Sequence, residues 1–298
     1  MVVLAQISDV HLGPLPPITA GDLMSKRVFG YLNWRRNRAK KHDDAVLAAL
    51  LGDIAAASPD QIVVTGDLVN LGLPAEYSAA RAWLEKLGPP ERVTAIPGNH
   101  DGYVAGALDH AMREWAPWIS GDDATTPHFP FLRQRGPLAL IGVSTAVATA
   151  PLMATGEVGE AQAAELGRLL ETAGEASLFR IVLIHHPVGE GAPWYRALTD
   201  AGRMRATIAR HGAELILHGH DHHTTVTDIP GPDGPVPVVG AAAASLRPRP
   251  ERPSGSYNLF DIDGAPGAWR VIMRERGIQN DGSVAPVSER ELAIPGGG

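Results

Sequence analysis

The 298-residue sequence contains no cysteine. That absence excludes disulfides, thiolate-ligated zinc and thiol catalysis, and it leaves the redox compartment open. A basic surplus is missing too. The formal net charge is -7, which argues against general nucleic-acid binding, because domains that wrap a phosphate backbone carry excess positive charge. No uncharged apolar run approaches the roughly 20 residues needed to cross a bilayer. There is no internal repeat, and the Pro/Gly stretches are too short to link domains. The opening run MVVLAQIS lacks a basic flank and leads straight into polar signatures, so it reads as mature sequence and not as a leader. A cytoplasmic location is the resulting expectation.

What remains is an ordinary globular composition with 44% hydrophobic and 20% charged residues. Short Val/Ile/Leu-rich runs at Val2–Ile7, Gln61–Thr65, Arg92–Ile96, Leu138–Ser144, Arg180–Ile184 and Glu214–Leu217 predict buried strands. Segments of helical spacing lie between them at Asp43–Ala57, Ala75–Leu87, Glu160–Thr172 and Thr199–His211. This alternation is α/β. From Thr224 onward the pattern changes to Thr224–Ile229, Val236–Gly240, Gly255–Ile262 and Ala268–Arg274, strands with no helix between them. The prediction is therefore a mainly antiparallel second sheet packed on the first, with helices outside. One domain is expected over residues 1–276, followed by a peripheral or partly disordered tail over 277–298.

The strands of the first half end in polar signatures: Asp9-Val10-His11, Gly66-Asp67-Leu68-Val69-Asn70, Gly98-Asn99-His100-Asp101, His185-His186-Pro187 and Gly219-His220-Asp221-His222. Ligands bind at the carboxyl ends of strands in α/β sheets, so the five ends should converge on one site. In extended backbone, residues two apart project to the same side, which makes Asp9 with His11, and His220 with His222, candidate metal clips. The same parity separates Asn99 from His100 and His185 from His186; His186 is either a cap on the strand next to Pro187 or, as expected here, a substrate contact. Carboxylate, amide and imidazole donors without thiolate suit Mn, Fe or Zn.

These motifs, in this order, resemble the DxH, GDxxN, GNHD, HHP and GHxH pattern of the calcineurin-like metallophosphoesterase superfamily, from about Val2 to His222. The resemblance implies a double β-sandwich of two mixed sheets flanked by helices. It implies two divalent or mixed-valence transition-metal ions, one on Asp9, His11 and His222, the other on Asn99, His185 and His220, with Asp67 bridging. It further implies hydrolysis of a phosphate ester by a metal-bridging hydroxide, with His100 protonating the leaving group or stabilising charge on phosphorus. Asp101 and Asn70 are expected to orient ligands.

Of the remaining histidines, His42, His110, His128 and His211 read as surface or satisfied residues. His218 shares the parity of His220 and His222 and is a candidate for supporting or substrate contact, whereas His223 has the opposite parity and stays unassigned. The stretch from Lys26 to Lys41 interleaves Lys26, Arg27, Arg35, Arg36, Arg38, Lys40 and Lys41 with Val28, Phe29, Tyr31, Leu32 and Trp34. It reads either as a solvated helix or as a basic, aromatic lip for a membrane surface or a large phosphorylated substrate. The HHP and GHxH motifs resemble those of cyclic-nucleotide and glycerophosphodiester phosphodiesterases, and the lip would also suit a lipid-linked pyrophosphate of the UDP-diacylglucosamine type. The expected partner is thus a phosphorylated small molecule or lipid. A metal-binding scaffold without turnover, a protein phosphatase and a nuclease are the alternatives carried forward. Specificity is expected from Leu12 to Lys41, Tyr103 to Pro130 and Glu190 to Arg196.

Overall fold

The computed structural model describes residues 1–124, 126–248 and 254–296. Among the described residues the chain runs β1 (Val2–Ile7), α1 (Arg27–Asn33), a π-helical turn (Trp34–Arg38), α2 (Ala39–Lys41), α3 (Asp44–Ala57), β2 (Gln61–Val64), α4 (Pro74–Leu87), β3 (Val93–Ala95) and α5 (Ala107–Glu114). It continues with β4 (Phe131–Arg135), β5 (Leu138–Gly142), α6 (Glu160–Glu175), β6 (Phe179–Leu183), α7 (Ala201–His211) and β7 (Leu215–His218). Five strands finish it: β8 (Thr225–Gly231), β9 (Gly234–Gly240), β10 (Ser256–Asp263), β11 (Arg270–Ile278) and β12 (Val284–Leu292).

Two six-stranded mixed sheets result, ordered β12-β11-β10-β1-β2-β3 and β4-β5-β6-β7-β9-β8. Within them β1, β2 and β3 are parallel, as are β5, β6, β7 and β9. Strand parity builds the core between the sheets. Leu138, Leu140, Phe179, Ile181, Leu183, Leu215 and Leu217 join Leu4, Leu259, Val271 and Met273 in one buried cluster. The alternate residues Ile141, Val182, Ile184 and Ile216 face outward and are covered by Leu166 and Leu170 of α6 and Met204 and Ile208 of α7. Helix α3 packs on β11 and β12. It starts where the Asp43 carboxylate accepts the Ala45 N–H at 2.9 Å and stops at Ser58, which is left-handed at φ 48.

Two expectations are corrected. The late strands do not form a sheet of their own: β8 and β9 complete the second sheet beside β7, and β10 to β12 extend the first by pairing antiparallel with β1. The reason is visible in β1, where Leu4, Ala5 and Ile7 are wholly buried, so the strand needs a neighbour on each edge as well as cover on both faces. Where the segment 277–298 was expected to be peripheral or partly disordered, its described residues form regular structure at the edge of the first sheet. The proposed boundary cuts β11, Val284–Leu292 forms an edge strand on it, and Ile278, Leu292 and Ile294 are buried. Only its last two residues, 297 and 298, lie outside the described residues.

The consequence for function is positional. β1, β2 and β3 of one sheet and β6 and β7 of the other end together, and each is followed by one of the polar signatures.

Candidate metal centre

The seven predicted ligands come together, but not by the extended-chain parity expected of them. Asp9, His11, Asp67, His220 and His222 all lie beyond their strands in left-handed backbone, with φ of 51, 41, 57, 69 and 60. Non-glycine residues adopt this region rarely and at a cost of order 1–3 kcal/mol each, and only where surrounding contacts enforce it. Those contacts are present: Asp9 N–H donates to Gly66 O at 3.0 Å, His11 N–H to Asp67 O at 3.0 Å and Gly219 N–H to His185 O at 3.1 Å.

Asp101 holds the middle loop. Its Oδ2 accepts the N–H of Asp67 and Gly98, and its Oδ1 accepts those of Leu68 and Val69. Burial, with the Asp67 charge beside it, pushes the Asp101 carboxyl up to about 8. Asn70 holds its own neighbours: its Nδ2 donates to Leu12 O at 2.9 Å, while its carbonyl accepts the His100 Nδ1–H at 2.6 Å. Gly98 is required for a reason other than turning. A Cβ there would overlap Asp67 Oδ1 and stand 2.7 Å from His185 Cε1.

Both site carboxylates divide their oxygens in the same way. Asp9 Oδ2 accepts the His220 N–H at 3.0 Å, while buried Oδ1 has no hydrogen-bond partner and lies 3.2 Å from His222 Nε2. Asp67 Oδ1 accepts the His100 N–H at 2.8 Å, and its Oδ2 stands 3.8 Å from His11 Nε2 and 3.5 Å from His185 Nε2. Donor atoms of Asp9, His11, Asp67 and His222 all fall within 4.8 Å of one another. On the other side of Asp67, Asn99 Oδ1 lies 3.1 Å from His185 Nε2 and 2.9 Å from His220 Nδ1.

The donor chemistry calls for positive charge at both places. His11 Nδ1 donates to Val69 O and His185 Nδ1 to Thr65 O. Carbonyls only accept, so in the neutral rings both Nε2 atoms carry lone pairs directed at the cluster. His220 faces two acceptors, Asn99 Oδ1 and Arg196 O, with one proton in its neutral form. Burial, aided by Arg38 at His11 and by His186 at His220, keeps these two rings well below the ordinary imidazole range. Burial opposes charge on Asp9 and Asp67, yet His222 beside the first and His185 and His100 beside the second hold both carboxyls low. Against burial, Asp67 and Asp9 lift His185 to about 10, which marks this point as one where the carboxylates demand a cation, proton or metal. Oxygen and imidazole donors of this kind fit divalent first-row metals.

His100 sits at the rim of the cluster, stacked on Tyr103 with ring centroids 5.3 Å apart. Its Nε2 accepts from Arg38 Nη2 at 2.6 Å, and burial together with Arg38 lowers it to about 3. Arg38, which the sequence placed only within a basic run, thus reaches the rim of the cluster. It lines the cleft of about 400 Å³ over the cluster, along with Asn33, Leu152, Tyr195 and Arg196. The inward basic residues of the segment are fixed: Arg27 donates to Leu71 O and Gly72 O, and Lys26 to Thr149 Oγ1. Arg35 and Arg36 are exposed, beside exposed Phe29 and Leu32.

Three histidine readings change. His186 is not a substrate contact, because it is fully buried, its Nε2 donates to Ala154 O and its Nδ1 accepts from Thr145 Oγ1; it packs behind His220 at 4.3 Å between centroids. His218 does not line the cleft over the cluster; with His223 it lines a neighbouring groove of about 860 Å³. His42 is not without partners: its ring lies 5.0 Å from that of His11. The available signal was its place, directly after the basic run and next to the Asp43 cap. His110 stacks on Tyr77, His211 pairs with Glu171 and His128 lies near Thr126 O, as satisfied or surface residues do.

The profile of calcineurin-like phosphoesterases matches residues 2–224. A probable cyclic nucleotide phosphodiesterase of Synechococcus sp. is 28% identical over 229 residues, 75% of this chain and 79% of that protein. The glycerophosphodiester phosphodiesterase GpdQ of Enterobacter lignolyticus is 27% identical over 230 residues, 76% of this chain and 73% of that one. A dimetal phosphatase from Danio rerio superposes with a TM-score of 0.59 over 96% of this chain and 98% of its own, at 14% identity. Fold, ordered motifs and profile agree, and the chain belongs to the calcineurin-like phosphoesterase family.

Proposed function

We propose that the protein hydrolyses a phosphodiester of a small molecule at a site for two divalent transition-metal ions. One would be held by Asp9, His11 and His222, the other by Asn99, His185 and His220, with Asp67 shared. The observation that carries this reading is the single atom Asp67 Oδ2, which stands between His11 Nε2 and His185 Nε2. Two ions so placed would supply Lewis acidity and an activated water to the site.

The chain's own contributions follow from the contacts around the cleft. The Asn70 carbonyl fixes His100 Nδ1, so Nε2 is the atom available to hold a proton for the leaving oxygen. Arg38 contacts that nitrogen, and an anionic phosphate gives its guanidinium a better partner. Movement of Arg38 onto the substrate would therefore free His100 and neutralise the phosphate in one event. Arg196 donates from its Nη2 to His220 O and to Asp221 Oδ1, which braces the last ligand loop. The two sequence relatives are phosphodiesterases by name, in keeping with this choice.

A second substrate class has an observation of its own. Leu152 and Tyr195 on the cleft wall, with neighbouring Trp194 and with Phe29 and Leu32 on α1, are all large and exposed. Exposed apolar side chains at the cleft wall, in a chain whose α1 also exposes Phe29 and Leu32, suit an amphiphilic substrate such as a lipid-linked pyrophosphate. Among the described residues no helix is long and apolar enough to cross a membrane. Metal-loaded protein should release p-nitrophenol from bis(p-nitrophenyl) phosphate. Silence with Mn, Fe, Co and Zn alike would favour a scaffold. A screen of cyclic nucleotides, glycerophosphodiesters, UDP-linked lipids and monoesters ranks the substrate classes.

A further inference from the structure

We infer that His42 is an additional ligand of the cation held by Asp9, His11 and His222, delivered to the site by the end of the basic helical segment. The inference rests on the two-metal reading of the centre. One ring nitrogen each of His11, His42 and His222 falls within 4.8 Å of the others, and the His42 ring centroid is 5.0 Å from that of His11 and 6.1 Å from that of His222.

The free nitrogen of His42 follows from a chain of hydrogen bonds. Ser245 Oγ donates its only proton to Val10 O at 2.7 Å. At its 2.6 Å contact with His42 Nδ1 the hydroxyl oxygen must therefore accept, so Nδ1 carries the hydrogen. A neutral ring then keeps its lone pair on Nε2. This is the arrangement of the accepted candidates His11 and His185, whose Nδ1 atoms donate to Val69 O and Thr65 O, and it is how proteins orient metal-binding imidazoles.

The backbone fixes the donor in place. His42 forms an antiparallel bridge with Leu246. Asp43 N–H donates to Ser245 O and Arg247 N–H to Lys41 O, each at 2.8 Å. The same loop is tied to the end of β1, since Ala244 N–H donates to Ser8 O at 3.0 Å. His42 and Ser245 thus belong to one short clip anchored beside Asp9. A cation bound there would link the ligand loops to residues 26–42, and Arg38 lies four positions before His42. Metal loading would then also order the segment that carries the cleft's arginine.

The test uses the full chain with Zn²⁺ and Co²⁺ as probes. Affinity is read by competition with a chromophoric chelator, and coordination by the visible absorption of the Co²⁺ form. His42→Ala should weaken one of the two sites by roughly 10- to 100-fold and intensify the Co²⁺ bands as coordination number falls, while Ser245→Ala should weaken the same site by about 10-fold. Far-UV circular dichroism of the metal-free variants confirms folding. Wild-type affinity together with an unchanged Co²⁺ spectrum in folded His42→Ala overturns the inference. Should that variant not fold, the same result for Ser245→Ala overturns it. His11→Ala is the reference: if it and the wild type both take up no metal, the two-metal reading itself fails, which is distinguishable from loss of the His42 assignment alone.

Discussion

Asp67 gives one oxygen to the His100 amide and the other to two imidazoles from different loops. Replacing it with Asn keeps the shape and removes the charge that both ligand sets share. We expect Asp67→Asn to retain less than one metal per chain and to lose at least about 10²–10³-fold in turnover, the scale of a lost transition-state electrostatic partner. Metal analysis and a diester assay check the two halves of that statement. Arg38 makes a separate prediction. Arg38→Gln should lower kcat/KM by roughly 10- to 100-fold with metal content intact, whereas Arg35→Gln with Arg36→Gln should leave turnover of a small soluble diester unchanged. The residues that cluster at the strand ends were legible at this scale because they sit in ordered motifs of oxygen and imidazole donors. His186 lies deeper, and His42 nearer the cluster, than their sequence context suggests. The parity rule presumes extended backbone around the ligands, and a side chain 31 positions beyond His11 with no motif around it reaches the cluster only through tertiary contact.

At the scale of elements, the left-handed loops after β1, β2 and β7 are the part that no periodicity reveals, since hydrophobic pattern ends where the strand ends. Most strands were legible within a residue or two because their buried faces dictate Val, Ile and Leu. The exceptions are β11, which runs four residues past its expected end at Arg274, and β4 and β12, whose polar and charged residues mimic loop. β12 is held to the body partly through α3, and Asp53 is a pin of that helix. Its carboxylate accepts a bidentate pair from Arg276 and the Tyr257 hydroxyl. Asp53→Ala should cost about 1–3 kcal/mol by denaturant unfolding at neutral pH. The hydrogen bonds from Arg276 lower the Asp53 carboxyl. Its contribution is therefore complete above the unfolded value of about 3.9 and is lost as pH falls through the lower folded one. The gap between wild type and variant should close on the acid side, and a gap that widened there would refute the assignment.

For the molecule as a whole, the net charge of -7 and an anionic substrate are compatible because the cleft has its own arginines and a cluster built for cations. Metal should also be a stability ligand. With free ion at about 100 times its dissociation constant, one site contributes about 2.7 kcal/mol, a rise in Tm of roughly 5 °C for a chain of this size. Chelation should reverse it in a scanning melt. Both sheets were expected from the sequence, but their membership was not, since pairing of β1 with β10 is set by mutual edge burial and leaves no local signal. That pairing has a consequence for synthesis. Val2 lies opposite Ile262, so β1 waits until β10 has been made before its second edge is covered. Contacts so distant in sequence slow folding, and an uncovered edge invites association in the interval. A chain stopped at residue 248 should therefore be recovered mainly in aggregates, although it retains every proposed metal ligand.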